Sequence, residues 1–219
     1  MKLAFAPLAA LGLLLVTFAP APGAVSALDE ANAAFSKIND YVMTVVVHET
    51  DNAGKNVEDR TYQYSFLKPT DVKLAILAGS HRGAGVVWKG GDKVKGHDGG
   101  FLSGIKLTLD IHNGRVVSLR GDTIDSGTIP GMLDRFKTIK GEVSEAPGPT
   151  LDGQATDVVT LKVADPTTDT GITKEQLFLS RTTHLPLRRL RYVGDLLVKS
   201  ENVTSIKTNV GLTDRDFPF

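Results

Sequence analysis

The sequence has 219 residues, with 25 basic and 25 acidic side chains and no cysteine. The balanced charge gives no whole-molecule field that would attract nucleic acid, so nucleic-acid binding is not expected. Without cysteine the chain has no disulfide and no site for a lipidated cysteine, and its fold has to depend on a hydrophobic core. One domain is expected for this length.

The N-terminus has the layout of a secretory signal peptide. One basic residue precedes an apolar run over 8–18, and that run is shorter than the roughly 20 residues that a helix needs to cross a membrane. We predict cleavage after Ala27, with Ala24 as the alternative. Residues 1–27 are then the signal peptide, and 28–219 form a single domain in the periplasm.

The residues after the signal peptide predict one short helix followed by strands. In 28–39 apolar residues recur at helical spacing, with acidic residues in the first turn. From Tyr41 onward the period changes to two, which is typical of strands that bury one face. The strands predicted here cover 41–49, 60–67 and 72–77, and the first two form a hairpin.

Glycine is concentrated around the single tryptophan, in GAGVVWKGGDKVKGHDGG. A phosphate-binding loop requires a helix after the glycines, but here Trp88 stands where a third glycine would be and a strand follows. Nucleotide binding is therefore not expected. The pattern predicts two short strands, 85–89 and 92–96, joined by a tight turn at Gly90-Gly91, because glycine accepts a positive φ without steric cost.

The segment 105–119 leaves two interpretations open. Alternating apolar residues on either side of Asn113-Gly114 indicate a hairpin, but Leu107 and Leu109 also suit an irregular lid.

The second half of the chain predicts one more helix and then strands only. Residues 126–140 place apolar side chains three and four positions apart, which predicts a short helix that begins near Ser126 or Thr128. Four strands then form a predicted antiparallel meander: 156–164, 174–181, 186–193 and 196–209. This order predicts an α+β fold with one strongly curved antiparallel sheet and short helices packed on a single side.

No pattern in the sequence predicts a catalytic centre. The five histidines are dispersed, without the spacing of a zinc site, and there is no GxSxG motif. His97 beside Asp98 is the candidate general base, but adjacent strand residues point to opposite faces, which favours a turn. We therefore expect a protein that is not an enzyme and that has no cofactor or metal.

Three arginines form a small basic cluster at Arg188, Arg189 and Arg191. On a strand, Arg189 and Arg191 share one face. The pattern predicts a solvated outer face, and the alternative is a patch that binds an anionic head group or a partner protein.

Several motifs resemble the periplasmic lipoprotein-carrier superfamily of LolA and LolB, which also includes the anti-sigma partner RseB. The resemblance is carried by the helix and hairpin, by FLKP at 66–69, by VVWKGGDKV at 86–94 and by the closing TNVGLTDRDFPF. The run from GSHRGAGVVWKGG onward is similar to an uncharacterised exported bacterial family with that fold.

The resemblance implies an unclosed β-barrel of roughly ten to eleven antiparallel strands around an apolar cavity, with short helices as a lid. It also implies an arginine near the cavity mouth, for which Arg60 and Arg82 are the candidates. The implied function is to carry the acyl chains of a lipid or lipoprotein in the cell envelope. The alternative is a monomeric, RseB-like sensor or assembly module that works by contact with an inner- or outer-membrane protein.

The acyl-binding hypothesis assigns the aromatic and aliphatic residues of the first strands to the cavity. The same residues are more often part of a filled core, which is the expectation under the alternative. The ligand-binding residues predicted for the carrier are Tyr62, Tyr64, Phe66, Leu74, Ile76 and Trp88.

Overall fold

A computed structural model of the chain describes residues 26–100 and 104–218. Most of the predicted signal peptide lies outside these residues. At the boundary, the Ser26 hydroxyl accepts a hydrogen bond from the Asp29 N–H and caps the first helix. Cleavage after Ala27 would remove this cap, whereas cleavage after Ala24 would keep it.

The described residues form one antiparallel sheet of eleven strands. The strands are β1 Asp40–Thr50, β2 Val57–Leu67, β3 Asp71–Gly79, β4 Gly85–Trp88, β5 Lys93–His97, β6 Lys106–Asp110, β7 Gly141–Pro147, β8 Thr156–Val163, β9 Lys174–Ser180, β10 Pro186–Val193 and β11 Leu196–Thr208. Their order across the sheet is β6-β5-β4-β3-β2-β1-β11-β10-β9-β8-β7. Because β6 and β7 are both edges, the sheet is unclosed, which confirms the predicted fold class and the meander of the last strands.

Side chains alternate between buried and exposed along the strands, so one face of the sheet lies in the core. In β1, Tyr41, Met43 and Val45 are fully buried, whereas Val46 is 42% exposed. Side chains of β2 and β3 that pair with these positions, such as Tyr64 and Leu74, lie on the same inner face because antiparallel partners share a face. The helices also pack on this inner face.

The two helices are α1, Ala27–Ser36, and α2, Ile129–Thr138. Thr128 caps α2 by accepting a hydrogen bond from the Gly131 N–H. The first N–H of α2, that of Ile129, donates to the Tyr41 hydroxyl at 2.9 Å, which ties the helix to the inner face. Among the described residues, none of the helices is long and apolar enough to cross a membrane.

Between β6 and α2, residues 111–128 form an irregular segment, named here the lid segment. It consists of turns and one short 3-10 helix, Ile124–Gly127. Leu107 and Leu109 lie in β6, so neither interpretation of 105–119 is entirely right: a strand forms, but no return strand follows it. A lid then follows instead of the predicted hairpin.

Two glycines form the predicted tight turn between β4 and β5. Gly90 has φ +86° and Gly91 has φ +74°, which confirms that the turn requires left-handed backbone.

Replacing Gly90 with valine should destabilise the protein by about 1 to 3 kcal/mol, because a β-branched residue is strained at positive φ. Thermal unfolding measures the loss. Gly114→Val is the matched control, since φ at Gly114 lies outside the left-handed region and an added Cβ meets no atom within 4 Å. Full stability of Gly90→Val together with lost ligand binding would show that the turn explanation is wrong.

Candidate ligand-binding site

A cavity of about 1180 Å³ lies on the inner face of the sheet, beneath the lid segment. One wall comes from β2 to β6 and the facing wall from lid residues 114–127. The strand wall is largely apolar and includes Leu74, Ile76, Val86 and Leu107. The lid contributes further apolar side chains, so a ligand here would be held between sheet and lid.

Four of the six residues predicted to bind ligand line this cavity: Tyr62, Tyr64, Leu74 and Ile76. Phe66 lies elsewhere on the inner face, where its ring stacks on Tyr41 with centroids 5.0 Å apart. Trp88 is half-buried against the core, and its indole N–H donates to the Gly91 carbonyl at 2.8 Å. The cavity therefore brings together β2 as far as Tyr64 and the middle of β3, but not the C-terminal ends of β2 and β4.

The two tyrosines present the only phenol rings of the described cavity wall. Their ring centroids are 6.1 Å apart in an edge-to-face arrangement. Burial raises the pKa of both phenols, so both remain neutral hydroxyls. Gly127 of the lid lies so close to Tyr64 that an added Cβ would be 2.1 Å from the hydroxyl oxygen. The lid therefore packs directly against the Tyr64 ring.

At its inner end the cavity changes from apolar to charged. Lys199 and Glu201 of β11 line it there, although both side chains are at least 95% buried. They belong to a larger group, named here the charge cluster, which fills the inner face from β1 to β9. Its members are Glu49, Arg120, Asp122, Arg135, Asp169, Glu175, Arg189, Arg191, Lys199 and Glu201.

The charge cluster corrects the prediction made for the arginines of β10. Arg189 and Arg191 are each 1% exposed and point into the protein, so the predicted solvated outer face is wrong for this pair. The reason is pairing across the sheet: Arg189 lies opposite Glu201 of β11, and Arg191 lies opposite Glu175 of β9. The neighbouring Arg188 is only half-buried and binds Asn202 at 2.6 Å.

The cluster joins the sheet to the lid segment through Asp122. Both guanidinium nitrogens Nη1 and Nη2 of Arg191 donate to this carboxylate, and Lys199 Nζ donates to it at 2.6 Å. A second lid contact comes from Arg189, whose Nη1 donates to the Ser126 carbonyl at 3.0 Å. Since these groups are buried, the lid is fastened by charge as well as by apolar packing.

A second set of bonds fastens the middle of the lid to β1 and to the turn that follows β1. The Ser118 hydroxyl and the Arg120 N–H both donate to Glu49, at 2.7 Å and 3.0 Å. The Arg120 guanidinium donates to the Thr50 carbonyl at 3.0 Å and to Asn52 at 2.8 Å. The lid is thus bonded to the sheet along residues 118–126, where the charge cluster lies.

Electrostatic pairing keeps the buried carboxylates of Asp122 and Glu201 ionised. Burial alone would raise the pKa of Asp122, but Arg191 and Lys199 hold it well below its ordinary value. Burial also opposes ionisation of Glu201, yet Arg189 and Lys199 lower its pKa to about 2. These pKa values link the cluster to stability at acid pH.

We expect the protein to lose stability as the pH falls from about 4.5 towards 2. The unfolded chain binds protons at Glu201 and Asp122 in this range while the folded protein does not, so acid favours unfolding. The contribution of Glu201 alone is on the order of 2 to 3 kcal/mol. Urea unfolding at pH 7 and pH 3 measures it. In the control Glu142→Gln, which removes an exposed carboxylate, the acid loss should persist; a pH-independent midpoint would contradict the prediction.

The described residues 26–100 and 104–218 contain no group of three or more histidine or acidic side chains that could hold a metal ion. His97 and Asp98 both line the cavity. However, the hydrogen-bond partner of His97 Nδ1 is the backbone carbonyl of Asp98, at 3.1 Å, and not the Asp98 carboxylate. The Asp98 carboxylate binds Arg115 at 3.0 Å. The pair is therefore not arranged as a carboxylate-oriented base.

Of the comparisons with known proteins, only the search of solved structures finds a likeness. No protein-family model matches the sequence, and a search of curated proteins gives no match. Among solved structures, MucB is 16% identical with a TM-score of 0.52, over 88% of this chain and 61% of that chain. LppX from Mycobacterium tuberculosis is 13% identical with a TM-score of 0.49, over 85% of this chain and 95% of that chain.

A third structure is a LolA superfamily protein from Nitrosomonas europaea, 14% identical with a TM-score of 0.44, over 90% of this chain and 99% of that chain. At such identities the likeness concerns the fold alone. The LolA-like fold predicted from the sequence is confirmed.

Proposed function

We propose that this protein is an exported, periplasmic binding protein that holds the acyl chains of a lipid or lipoprotein in its cavity, without catalysing a reaction. One observation carries the proposal: the cavity of about 1180 Å³ between the sheet and the lid. Small-molecule sites usually occupy about 300 to 1,000 Å³, so this cavity suits a larger ligand.

The composition of the cavity wall supports an acyl ligand. Aliphatic side chains from three strands, Leu74, Val86 and Leu107, face the same space, and Val116 of the lid faces them. Each methylene that leaves water for such a wall contributes about 0.8 kcal/mol, so affinity grows with chain length. Tyr62 and Tyr64 add hydroxyl groups to this wall without adding charge.

Charged residues at the inner end of the cavity limit how far an acyl chain can extend. Lys199 and Glu201 close the cavity there, and within the charge cluster Lys199 pairs with Asp122 while Glu201 pairs with Arg189. An acyl chain that entered the cluster would have to separate these ions. The proposal therefore places the chain in the half of the inner face formed by β2 to β6.

Native mass spectrometry of the protein, purified after export and without detergent, tests the proposal. Acyl-chain species at stoichiometric amounts, identified after organic extraction, are the expected result. A clean protein mass that also takes up no fluorescent fatty acid would contradict acyl binding and favour the alternative, a sensor or assembly module that works by protein contact.

A further inference from the structure

The charged side chains of the cavity wall are paired, with one exception. Its carboxylates all have a cationic partner: Glu58 with Arg60 at 2.8 Å, Asp98 with Arg115 at 3.0 Å, Asp122 with Lys199 at 2.6 Å and Glu201 with Lys199 at 3.7 Å. Arg82 also lines the wall, and no carboxylate in 26–100 or 104–218 forms an ion pair with it. The described wall therefore carries one positive charge that the protein does not neutralise.

Arg82 lies at the solvent-exposed end of the cavity. It belongs to the turn between β3 and β4, and its neighbours on the wall, His81 and Gly100, are exposed like Arg82 itself. The deeper residues Leu74 and Ile76 are partly buried. Between the charge cluster and this cationic mouth the wall is thus apolar, an arrangement that matches an amphipathic ligand.

Glycine at position 99 allows this placement of Arg82. A Cβ at Gly99 would lie 2.1 Å from the Arg82 carbonyl oxygen, so the turn that carries Arg82 packs directly on the backbone after β5. A Cβ at Gly83 would lie 3.6 Å from the Gly99 Cα. The glycine-rich run therefore does more than form a turn: its close backbone contact fixes the mouth of the cavity.

Two imidazoles add polar groups to the same mouth. His97 lies 3.1 Å from the Asp98 carbonyl through Nδ1, and because a carbonyl can only accept, Nδ1 carries the proton. Its other nitrogen, Nε2, lies 2.9 Å from where a Cβ of Gly85 would be. His81 is exposed on the adjoining turn. Both rings line the cavity beside Arg82.

We propose that the cavity selects acyl ligands with an anionic head group, a carboxylate or a phosphate, which Arg82 binds at the mouth while the chain lies along the apolar wall. This inference rests on the proposed function. Arginine presents a planar set of donors that matches carboxylate and phosphate oxygens. An incoming anion has no protein carboxylate to displace from Arg82, whereas Arg60 and Arg115 are already paired.

Displacement of the neutral fluorophore N-phenyl-1-naphthylamine by ligands of one chain length tests the inference. Dodecyl phosphate and dodecanoate are the anionic ligands, dodecanol is the neutral one, and inorganic phosphate is the head group alone. We expect the anionic ligands to bind about tenfold more tightly than dodecanol, because charge-assisted hydrogen bonds are roughly twice as strong as neutral ones. Inorganic phosphate should not displace the fluorophore.

The variant Arg82→Gln should reduce the preference for the anionic ligands over dodecanol to within about threefold, because the charge-assisted contact is lost. Arg215→Gln removes the same charge from an exposed residue outside the cavity and should keep the full preference. Equal affinity for all head groups, or a full preference in Arg82→Gln, would overturn the inference.

Two further outcomes separate this inference from the proposed function. If dodecanol displaces the fluorophore but no head-group preference exists, acyl binding stands and the selectivity is wrong. If none of the dodecyl compounds binds, both fail. The rate at which phenylglyoxal modifies Arg82 can be compared with inorganic phosphate and with dodecyl phosphate present. If inorganic phosphate slows this reaction as much as dodecyl phosphate does, the assignment is also overturned, because the site would then be one for free anions.

Discussion

Replacing Asp122 with alanine should cost the protein about 3 to 5 kcal/mol of folding free energy, the usual loss when one partner of a buried ion pair is removed. Its carboxylate is 86% buried and accepts hydrogen bonds from Arg191 and Lys199. In the variant Arg191 loses the one carboxylate of the described residues that lies within 4.0 Å of it, while Lys199 keeps Glu49 and Glu201 at 3.7 Å. Urea unfolding at pH 7 measures the change.

The matched control is Asp134→Ala on the exposed side of α2. Its carboxylate lies 3.7 Å from Lys137 and is 64% exposed, so its loss should cost less than about 1 kcal/mol. The double variant Asp122→Ala with Arg191→Met should be more stable than the sum of the single changes predicts, by about 0.5 to 3 kcal/mol, because it removes both charges of the pair and leaves neither buried without its partner. Strict additivity, or a loss in Asp122→Ala as small as in Asp134→Ala, would contradict the role assigned to this contact.

The strands of the sheet could be predicted because burial of one face leaves a period of two in the sequence. The alternation from Tyr41 through 72–77 predicts β1, β2 and β3 within a few residues of their observed bounds. The exception is β7, which the sequence analysis did not identify. All seven of its residues are exposed, so GEVSEAP shows no buried face, and β7 joins the sheet through its pairing with β8.

The charge cluster could not be predicted from any local pattern. Arginines at Arg189 and Arg191 are typical of a solvated strand face, and they are buried only because carboxylates from three distant segments meet them. One signal was present in the sequence: Lys199 and Glu201 follow β10 after a short turn, so a hairpin places them opposite the two arginines. Across this hairpin Glu201 faces Arg189, and such a pair of opposite charges indicates a paired position rather than a free one, whereas Lys199 faces Arg191 and both need carboxylates from elsewhere.

Only part of the candidate site could be predicted, because the alternation along the strands identifies the inner face of the sheet but not the segments that cover it. Phe66 and Ile76 both point inward, yet α1 and Tyr41 cover Phe66 while the lid leaves space over Ile76. The path of the lid depends on its bonds to Glu49, Arg189 and Arg191, which are far away in the sequence. Which inward residues line the cavity therefore follows from the charge cluster.

Replacing Ile76 with glutamate should weaken acyl binding about a hundredfold while the protein still folds. In the absence of ligand, water in the cavity can hydrate the new carboxylate, but an acyl chain along this wall would exclude that water. The carboxyl group would then take up a proton, which costs about 3.7 kcal/mol at pH 7 for an ordinary glutamate pKa of about 4.3. This cost is the upper limit on the loss of binding free energy. Displacement of N-phenyl-1-naphthylamine by dodecanol measures the affinity without involving a charged head group.

Leu77→Glu is the control, since Leu77 follows Ile76 in β3 but is 42% exposed and outside the cavity wall. It should bind dodecanol like the unchanged protein. Circular dichroism and thermal unfolding of both variants separate a loss of binding from a loss of fold, because the two changes introduce the same charge one residue apart. Wild-type affinity in a folded Ile76→Glu variant would show that acyl chains do not bind along this wall, and that the cavity beneath the lid is not the site.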